Sequence, residues 1–318
     1  MIGHRLTGVA VSRQPVADRE QGRCGMGVPV SPDITVIIVN YNGGEALADC
    51  VSEALKAKAV AAVVVVDNAS TDMSLDRVAA RWGATGKVAI IRNPRNLGFS
   101  TANNVGLRRT QSSFVLLLNP DCIPEPGSID SLVEFMSSDI GVGVVGGLVL
   151  NSDRTEQKGC RRDLPDPVSA LGELPILKRW IRGFNKTGEP LPSAPAMVPA
   201  VSGAFMLVRR AALDAVDGLD EGYFLHFEDL ELCSQIAAAG WGVWFHPLAV
   251  AVHAKGVSSS SRPLLVHWHK HRSMWRFFHH RIPVRRVFGR LIAFLLVSAR
   301  FFALLPAVLW RSAKLWIK

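Results

Sequence analysis

From residue 34 onward, short apolar runs alternate with segments of mixed polarity. Residues 34–39 (Ile-Thr-Val-Ile-Ile-Val) are mostly branched and apolar with no helical period, which predicts a strand buried on both faces. Residues 62–66, 88–91 and 114–118 predict three more strands. Between them, residues 45–58, the stretch from Asp72 to about Trp82, and residues 97–110 have helical composition. Asn40-Tyr-Asn-Gly-Gly44 is turn chemistry. Strands alternating with helices make βαβ units, so the expected fold is α/β, a mainly parallel sheet with helices on both faces. Further on, residues 141–150, 201–209, 242–245 and 249–252 predict strands, and 227–239 a helix closed by Gly240. Residues 151–199 are irregular and proline-rich, and read as a wrap around the site rather than as core.

Composition narrows the class. Hydrophobic residues are 48% and charged residues 20% of the 318, which excludes a disordered or collagen-like chain. The formal net charge of +9 is local: residues 262–318 hold twelve Lys/Arg and no Asp/Glu, leaving 24 basic and 27 acidic residues elsewhere. Five cysteines without a CxxC pair or zinc spacing fit a reducing compartment and argue against a disulfide scaffold. Residues 1–32 lack the apolar run of a secretory signal and read as a flexible tail.

In open α/β sheets, ligands bind beyond the carboxyl ends of the strands. Asn40 and Asn42 follow the first predicted strand, Asp67 the second, Asn119 and Asp121 the fourth. The first turn is not GxGxxG and no GxxxxGK[ST] occurs, which argues against Rossmann cofactor and P-loop chemistry. Asp67 can accept hydrogen bonds from a base or ribose, or can simply cap a turn. Asp121 suits a hard divalent cation bridging a diphosphate, or an Asn-Pro turn. Glu228, Asp229 and Glu231 open a helix, where the dipole favours acids, and one of them suits a general base between apolar walls. His253 ends an apolar strand, with Lys255 beyond it.

Taken together, residues 34–42, 67–72, Asn96-Leu-Gly-Phe99 with Asn103, Asn119-Pro-Asp121, 202–210 and Phe227-Glu-Asp229 resemble family 2 glycosyltransferases of the GT-A fold, and within them the rhamnosyltransferase-like branch. Residues 218–224 and 239–247 look like that branch too, so the resemblance spans roughly residues 33–260. It implies that Asp67 contacts the nucleotide base with Asn40 and Asn42 nearby. It places Asn96, Gly98 and Asn103 along the nucleotide and sugar, and Asn119 and Asp121 at the diphosphate. Asp121 and His253 would hold a divalent cation, Mn²⁺ or Mg²⁺. Asp229 matches the catalytic base, with Gly203 and Glu228 on the acceptor side. The implied reaction is an inverting single displacement on a nucleotide-diphospho-sugar, dTDP-rhamnose by analogy, with a polyprenyl-linked or saccharide acceptor. One departure is that the first position of the DxD-type metal motif is Asn119, which removes an anionic ligand.

The C-terminal segment, residues 261–318, mixes cations with aromatics and ends in twenty mostly apolar residues, 291–310, broken by Arg300 and Pro306. A spanning helix needs about twenty apolar residues, but a central Arg is costly there. Interfacial helices with Lys/Arg beside Trp/Phe/Leu fit better, and nucleic-acid binding leaves the apolar run without a role. The expected division is a tail (1–32), a GT-A domain (33–260) and a basic amphipathic helical segment (261–318) held peripherally at an anionic membrane surface, the cytoplasmic face of the inner membrane. A non-catalytic sugar- or lipid-binding relative is the alternative of another class. A sugar-nucleotide pyrophosphorylase is disfavoured, because its Gly-rich phosphate loop is missing.

Overall fold

Each of the first four predicted strands forms, and burial is the reason. β1 (Ile34–Asn40) is buried along its whole length, and so is β4 (Phe114–Leu118). The computed structural model describes residues 33–253 and 262–316. The predicted 1–32 tail and Lys255 lie outside them. After β1 come α1 (Ala46–Ala54), β2 (Val60–Asp67), α2 (Ser74–Trp82), β3 (Val88–Arg92), α3 (Phe99–Leu107) and β4, which completes a βαβ series. β5 (Cys122–Pro124), α4 (Ser128–Ser138) and β6 (Val142–Leu150) follow. The proline-rich segment then contributes β7 (Arg161–Arg162), α5 (Pro167–Leu171) and β8 (Ala196–Met197). β9 (Ala200–Val201), β10 (Phe205–Arg209), α6 (Arg210–Asp214), α7 (Glu228–Ala238) and β11 (Gly242–His253) complete the α/β part.

The main sheet runs β3-β2-β1-β4-β10-β6-β11-β5, with β8 beside β11. β1 is parallel to both β2 and β4, and β2 to β3. β10 is antiparallel to β4 and β6, while β6 and β11 are again parallel. One antiparallel strand thus joins two parallel blocks. The run at 201–209 is two strands: β9 pairs with β7 in a small separate sheet, and Ser202-Gly-Ala204 breaks the chain before β10. Conversely, residues 242–253 are one strand with a register shift between His246 and Val250. Gly141, Gly143 and Gly146 carry the G-x-G-x-x-G spacing, but Gly143 and Gly146 lie inside buried β6 rather than in a strand-to-helix turn, so that spacing is no dinucleotide fingerprint.

Two helices end the chain, α8 (Pro263–Arg281) and α9 (Val287–Trp316). Pro263 opens α8, where a missing N–H costs nothing. α8 is bound to the α/β core. Phe277 is buried edge-on to Phe227, the Ser273 hydroxyl donates to the Leu225 carbonyl, Arg276 pairs with Asp220 at 2.9 Å, and Arg281 with Glu231 at 2.6 Å. α9 packs on α8 but leaves most of its apolar surface open: Phe288 is 82% exposed. Its Val287–Lys314 stretch is long and apolar enough to cross a membrane by length and composition, with 17% of its apolar window buried. Ala293, Val297 and Arg300 lie on the buried side of α9, with Arg300 only 5% exposed. Its guanidinium donates to the Ala170 carbonyl (3.2 Å) and to His271 Nε2 (2.7 Å). Burial pushes His271 down to about 3, so it stands neutral and accepts. The cost expected for Arg300 in a spanning helix therefore loses its premise, because this side chain faces protein.

Candidate active site

The first half of the site is built at the carboxyl ends of β1 and β2. Asn40 is fully buried, and its amide donates to Asp67 Oδ1 (2.8 Å), Ser74 Oγ (2.9 Å) and Ser70 Oγ (3.0 Å). The Asp67 carboxylate also takes the Ser70 hydroxyl and amide, so its oxygens are engaged by its own turn. Asn42 sits at φ 53° and accepts from the Thr71 amide. Asn68 bridges outward: it accepts from Asn93 and donates to the Gly98 carbonyl. Gly98 is required twice over. Its φ is +86°, and an added Cβ would lie 2.7 Å from the Phe224 carbonyl oxygen. That approach lets the Phe99 amide donate to the same oxygen at 2.7 Å.

At the end of β11, His253 lies beside the turn that follows β4. Its Nδ1 lies 2.7 Å from the Gln157 side-chain oxygen, an acceptor, which orients the ring and aims Nε2 at that turn. Nε2 is then 2.8 Å from Asp121 Oδ1 and 3.4 Å from Asn119 Nδ2. A carboxylate oxygen and an imidazole lone pair converging this way match the donor set of a divalent cation. Among the described residues no group of three or more His, Cys, Asp or Glu is placed to hold a metal. Two protein donors suit Mn²⁺ or Mg²⁺, which fill their remaining positions with phosphate and water. Asn119 faces the pair with its amide and adds no charge.

The second half lies across His253. His226 and Phe227 both adopt left-handed backbone (φ 66° and 72°), a costly conformation for bulky residues, just before α7. This kink sets Glu228 and Asp229 at the rim of a cleft of about 340 Å³. Asp229 Oδ2 pairs with Arg162 from β7 and accepts the Gly203 amide at 3.1 Å. Glu228 is 8% exposed, and its Oε2 has no hydrogen-bond partner. Burial, reinforced by the neighbouring Asp229, pushes its carboxyl up from 4.5 to about 8. Arg162 Nε is likewise buried without a partner.

A second cleft of about 330 Å³ adjoins the first. Asn96, Gly98 and Asp121 line it; Gly203, Glu228 and Asp229 line the other; Asn119 and His253 line both. Asn40, Asn42, Asp67 and Asn103 line neither. Asn40 and Asp67 brace the loop from behind, and the Asn103 amide donates back to the Phe99 carbonyl inside α3. Residues that sequence reasoning missed include Asn68, Gln157, Arg162 and His269, which stacks on Phe224 with ring centroids 4.2 Å apart. Gln157 and Arg162 sit in the irregular segment and carry no motif; only the fold reveals them.

The family described as glycosyltransferase like family 2 matches residues 32–276. The chain is 28% identical over 247 residues to an N-acetylglucosaminyl-diphospho-decaprenol L-rhamnosyltransferase of Mycobacterium tuberculosis, covering 72% of this chain and 78% of the relative. It is 27% identical over 208 residues to the rhamnosyltransferase WbbL of Escherichia coli, covering 61% and 75%. A mannosyltransferase from Pyrobaculum calidifontis, solved with GDP-Man and Mn²⁺, aligns with TM-score 0.54 at 19% identity over 90% of this chain and 76% of that one. GalNAc-T7, solved with UDP, GalNAc and Mn²⁺, aligns with TM-score 0.55 at 18% identity over 70% of this chain and 43% of that one. The strand order, the paired clefts and the matched span agree: the chain has the GT-A fold and belongs to glycosyltransferase family 2.

Proposed function

We propose that the protein is an inverting glycosyltransferase that moves rhamnose from dTDP-rhamnose to a lipid-linked acceptor, a prenyl-diphosphate sugar of the kind named for the mycobacterial relative. The observation that carries this reading is the pair of adjoining clefts, with Asp121 in one, Asp229 in the other, and Asn119 and His253 in the wall between them. Such a layout suits a donor on one side and an acceptor hydroxyl on the other, meeting at a single carbon.

In this reading Asp229 takes the proton from the acceptor hydroxyl as the oxygen attacks the anomeric carbon. Arg162 and the Gly203 amide hold its carboxylate in place. A single attack from the face opposite the leaving group inverts the anomeric configuration. Asn96, Gly98 and Asn68 border the donor cleft, and the Asn40–Asp67 network stiffens the loop behind them. Asp121 and His253 would hold a divalent cation, whose charge, when bound, offsets the charge building on the departing nucleoside diphosphate. Residues 33–260 are the transferase domain, and the C-terminal helices keep the protein at the cytoplasmic face of the membrane, where a lipid-linked acceptor resides. The excess of cations in residues 262–318, twelve Lys/Arg with no Asp/Glu among them, and the open face of α9 support that placement.

The test is a donor screen that reads nucleoside diphosphate release with and without a prenyl-diphosphate-linked sugar. Release from dTDP-rhamnose that depends on the acceptor, with an inverted linkage by NMR, is expected. Acceptor-dependent release from another donor would replace the sugar assignment, and no release from any donor would overturn the catalytic reading.

A further inference from the structure

The proline-rich segment carries a feature that the transfer chemistry does not use. Between Glu173 and Phe184, the chain makes two overlapping helical turns, with amide bonds from Lys178 to the Leu174 carbonyl and from Ile181 to the Leu177 carbonyl. Leu174 is buried and anchors the turn. Ile176 and Trp180, four residues apart and so on one face, are 76% and 72% exposed. Lys178 and Arg179 lie between them, exposed, with no ion pair among the described residues. A soluble surface gains nothing by leaving a tryptophan and an isoleucine side by side in water.

The position of this turn says what covers it. Glu173 and Phe184, at its two feet, both line the Asp229 cleft, together with Lys270 of α8 and Arg300 of α9. Glu173 is itself pinned by Lys158 at 2.5 Å and by the Asn185 amide. α5, three residues before the turn, packs on α9 through the bond from Arg300 to Ala170. The turn therefore rises from the rim of the acceptor cleft, next to the helix that exposes its apolar face. An acceptor held by its lipid tail can reach the cleft only where the bilayer meets that rim.

We infer that residues 174–182 form a second membrane contact, with Ile176 and Trp180 entering the interface and Lys178 and Arg179 meeting anionic headgroups, so that the turn and α9 together seat the acceptor cleft on the bilayer. Aromatic and cationic residues interleaved at one edge match an anionic leaflet in both polarity and sign. This rests on the membrane-bound, lipid-acceptor reading above.

The test uses the full chain and vesicles of phosphatidylcholine with phosphatidylglycerol. Ile176→Asp combined with Trp180→Asp is expected to weaken vesicle partition by roughly tenfold. Transfer to a lipid-linked acceptor in vesicles should fall with it, while nucleoside diphosphate release with a short soluble acceptor stays at the wild-type level. A direct reading of contact at Trp180 accompanies the double variant. Lipids brominated near the headgroup should quench wild-type fluorescence more than that of Trp180→Phe, whose partition stays near wild type. Equal quenching of the two, or unchanged partition of the double variant while the wild type binds, overturns the inference and leaves the proposed function standing. A wild-type chain that binds no vesicles overturns both the inference and the membrane placement. A change of oligomeric state in the double variant with unchanged partition makes the turn a protein contact and likewise overturns it.

Discussion

The two clefts of the site are bordered in opposite ways. Behind the Asn96–Gly98–Asp121 cleft, Asn40, Asp67, Ser70 and Ser74 satisfy one another's hydrogen bonds, and Asn68 on its wall is held by Asn93 and the Gly98 carbonyl. Around the Asp229 cleft, Glu228 Oε2 and Arg162 Nε are buried with nothing to bond, and the backbone at His226 and Phe227 is strained. The first arrangement is a scaffold whose shape is fixed in advance. The second holds unsatisfied polar atoms and strain against the residue proposed as the base, which is where proteins tend to store such costs. The difference teaches that motif residues can serve by bracing, while two buried, unsatisfied polar groups lie beside the cleft of the proposed base.

The largest expected effect breaks the strained side. Asp229→Asn removes the proton acceptor, and turnover should fall about a hundredfold or more. Donor binding by calorimetry should survive, since Asp229 does not line the donor cleft. Near wild-type turnover would move the base to Glu228. The next effect lies on the wall between the halves. Gln157→Leu removes the partner that orients His253, so Mn²⁺ affinity, read by electron paramagnetic resonance in the presence of a nucleoside diphosphate, should drop about 10- to 100-fold. His253→Ala should do at least as much. Unchanged affinity in both would remove His253 from the cation site.

Glu228 offers a pH test of the contrast. Its carboxyl, near 8 in the fold against 4.5 when free, holds its proton more tightly when folded. That contribution to stability is present below about pH 4.5 and is lost as pH rises through 8. Glu228→Gln should therefore be more stable than wild type at pH 8.5, by about 1–3 kcal/mol, with the gain shrinking toward pH 5. A gain that does not vary with pH would show that Glu228 is not held neutral by burial. The smallest effect belongs to the braced side. Asn40→Ala deletes three buried amide bonds and should cost about 1–2 kcal/mol of stability, visible as a lower Tm, with a weaker donor and little change in turnover at saturation. A collapse of turnover at saturating donor would make Asn40 part of the chemistry after all.

Much of this was legible from the chain. The strands read clearly because a strand buried on both faces leaves a continuous apolar run, as β1, β2 and β4 do. Asn40, Asn42, Asp67, Asn119 and Asp121 stood out as polar residues at strand ends, whereas Asn96, Gly98 and the parts given to Asp229 and His253 came from the family resemblance; of all these, Asn96, Gly98, Asn119, Asp121, Asp229 and His253 line the two clefts. β10 was harder: nothing in Phe-Met-Leu-Val-Arg says that it runs antiparallel between β4 and β6. Arg162 and Gln157 were invisible, since an isolated Arg and Gln in an irregular segment match no pattern. Residues 262–318 read as one basic, apolar block, yet α8 is stitched to the core by Phe277, Arg276 and Arg281, and α9 carries the open apolar face.

The sequence by itself determined the α/β class and the order of the polar turns, because these follow from periodicity and composition within windows of a few residues, while the family came from the resemblance of its motifs taken as a set. Only the tertiary structure decided which of those turns reach a cleft, that Arg300 faces Ala170 and His271 rather than lipid, and that Glu228 is buried beside Asp229. Those outcomes depend on contacts between residues far apart in the chain, such as Arg162 with Asp229 and Gln157 with His253, and no local pattern encodes the distance between them.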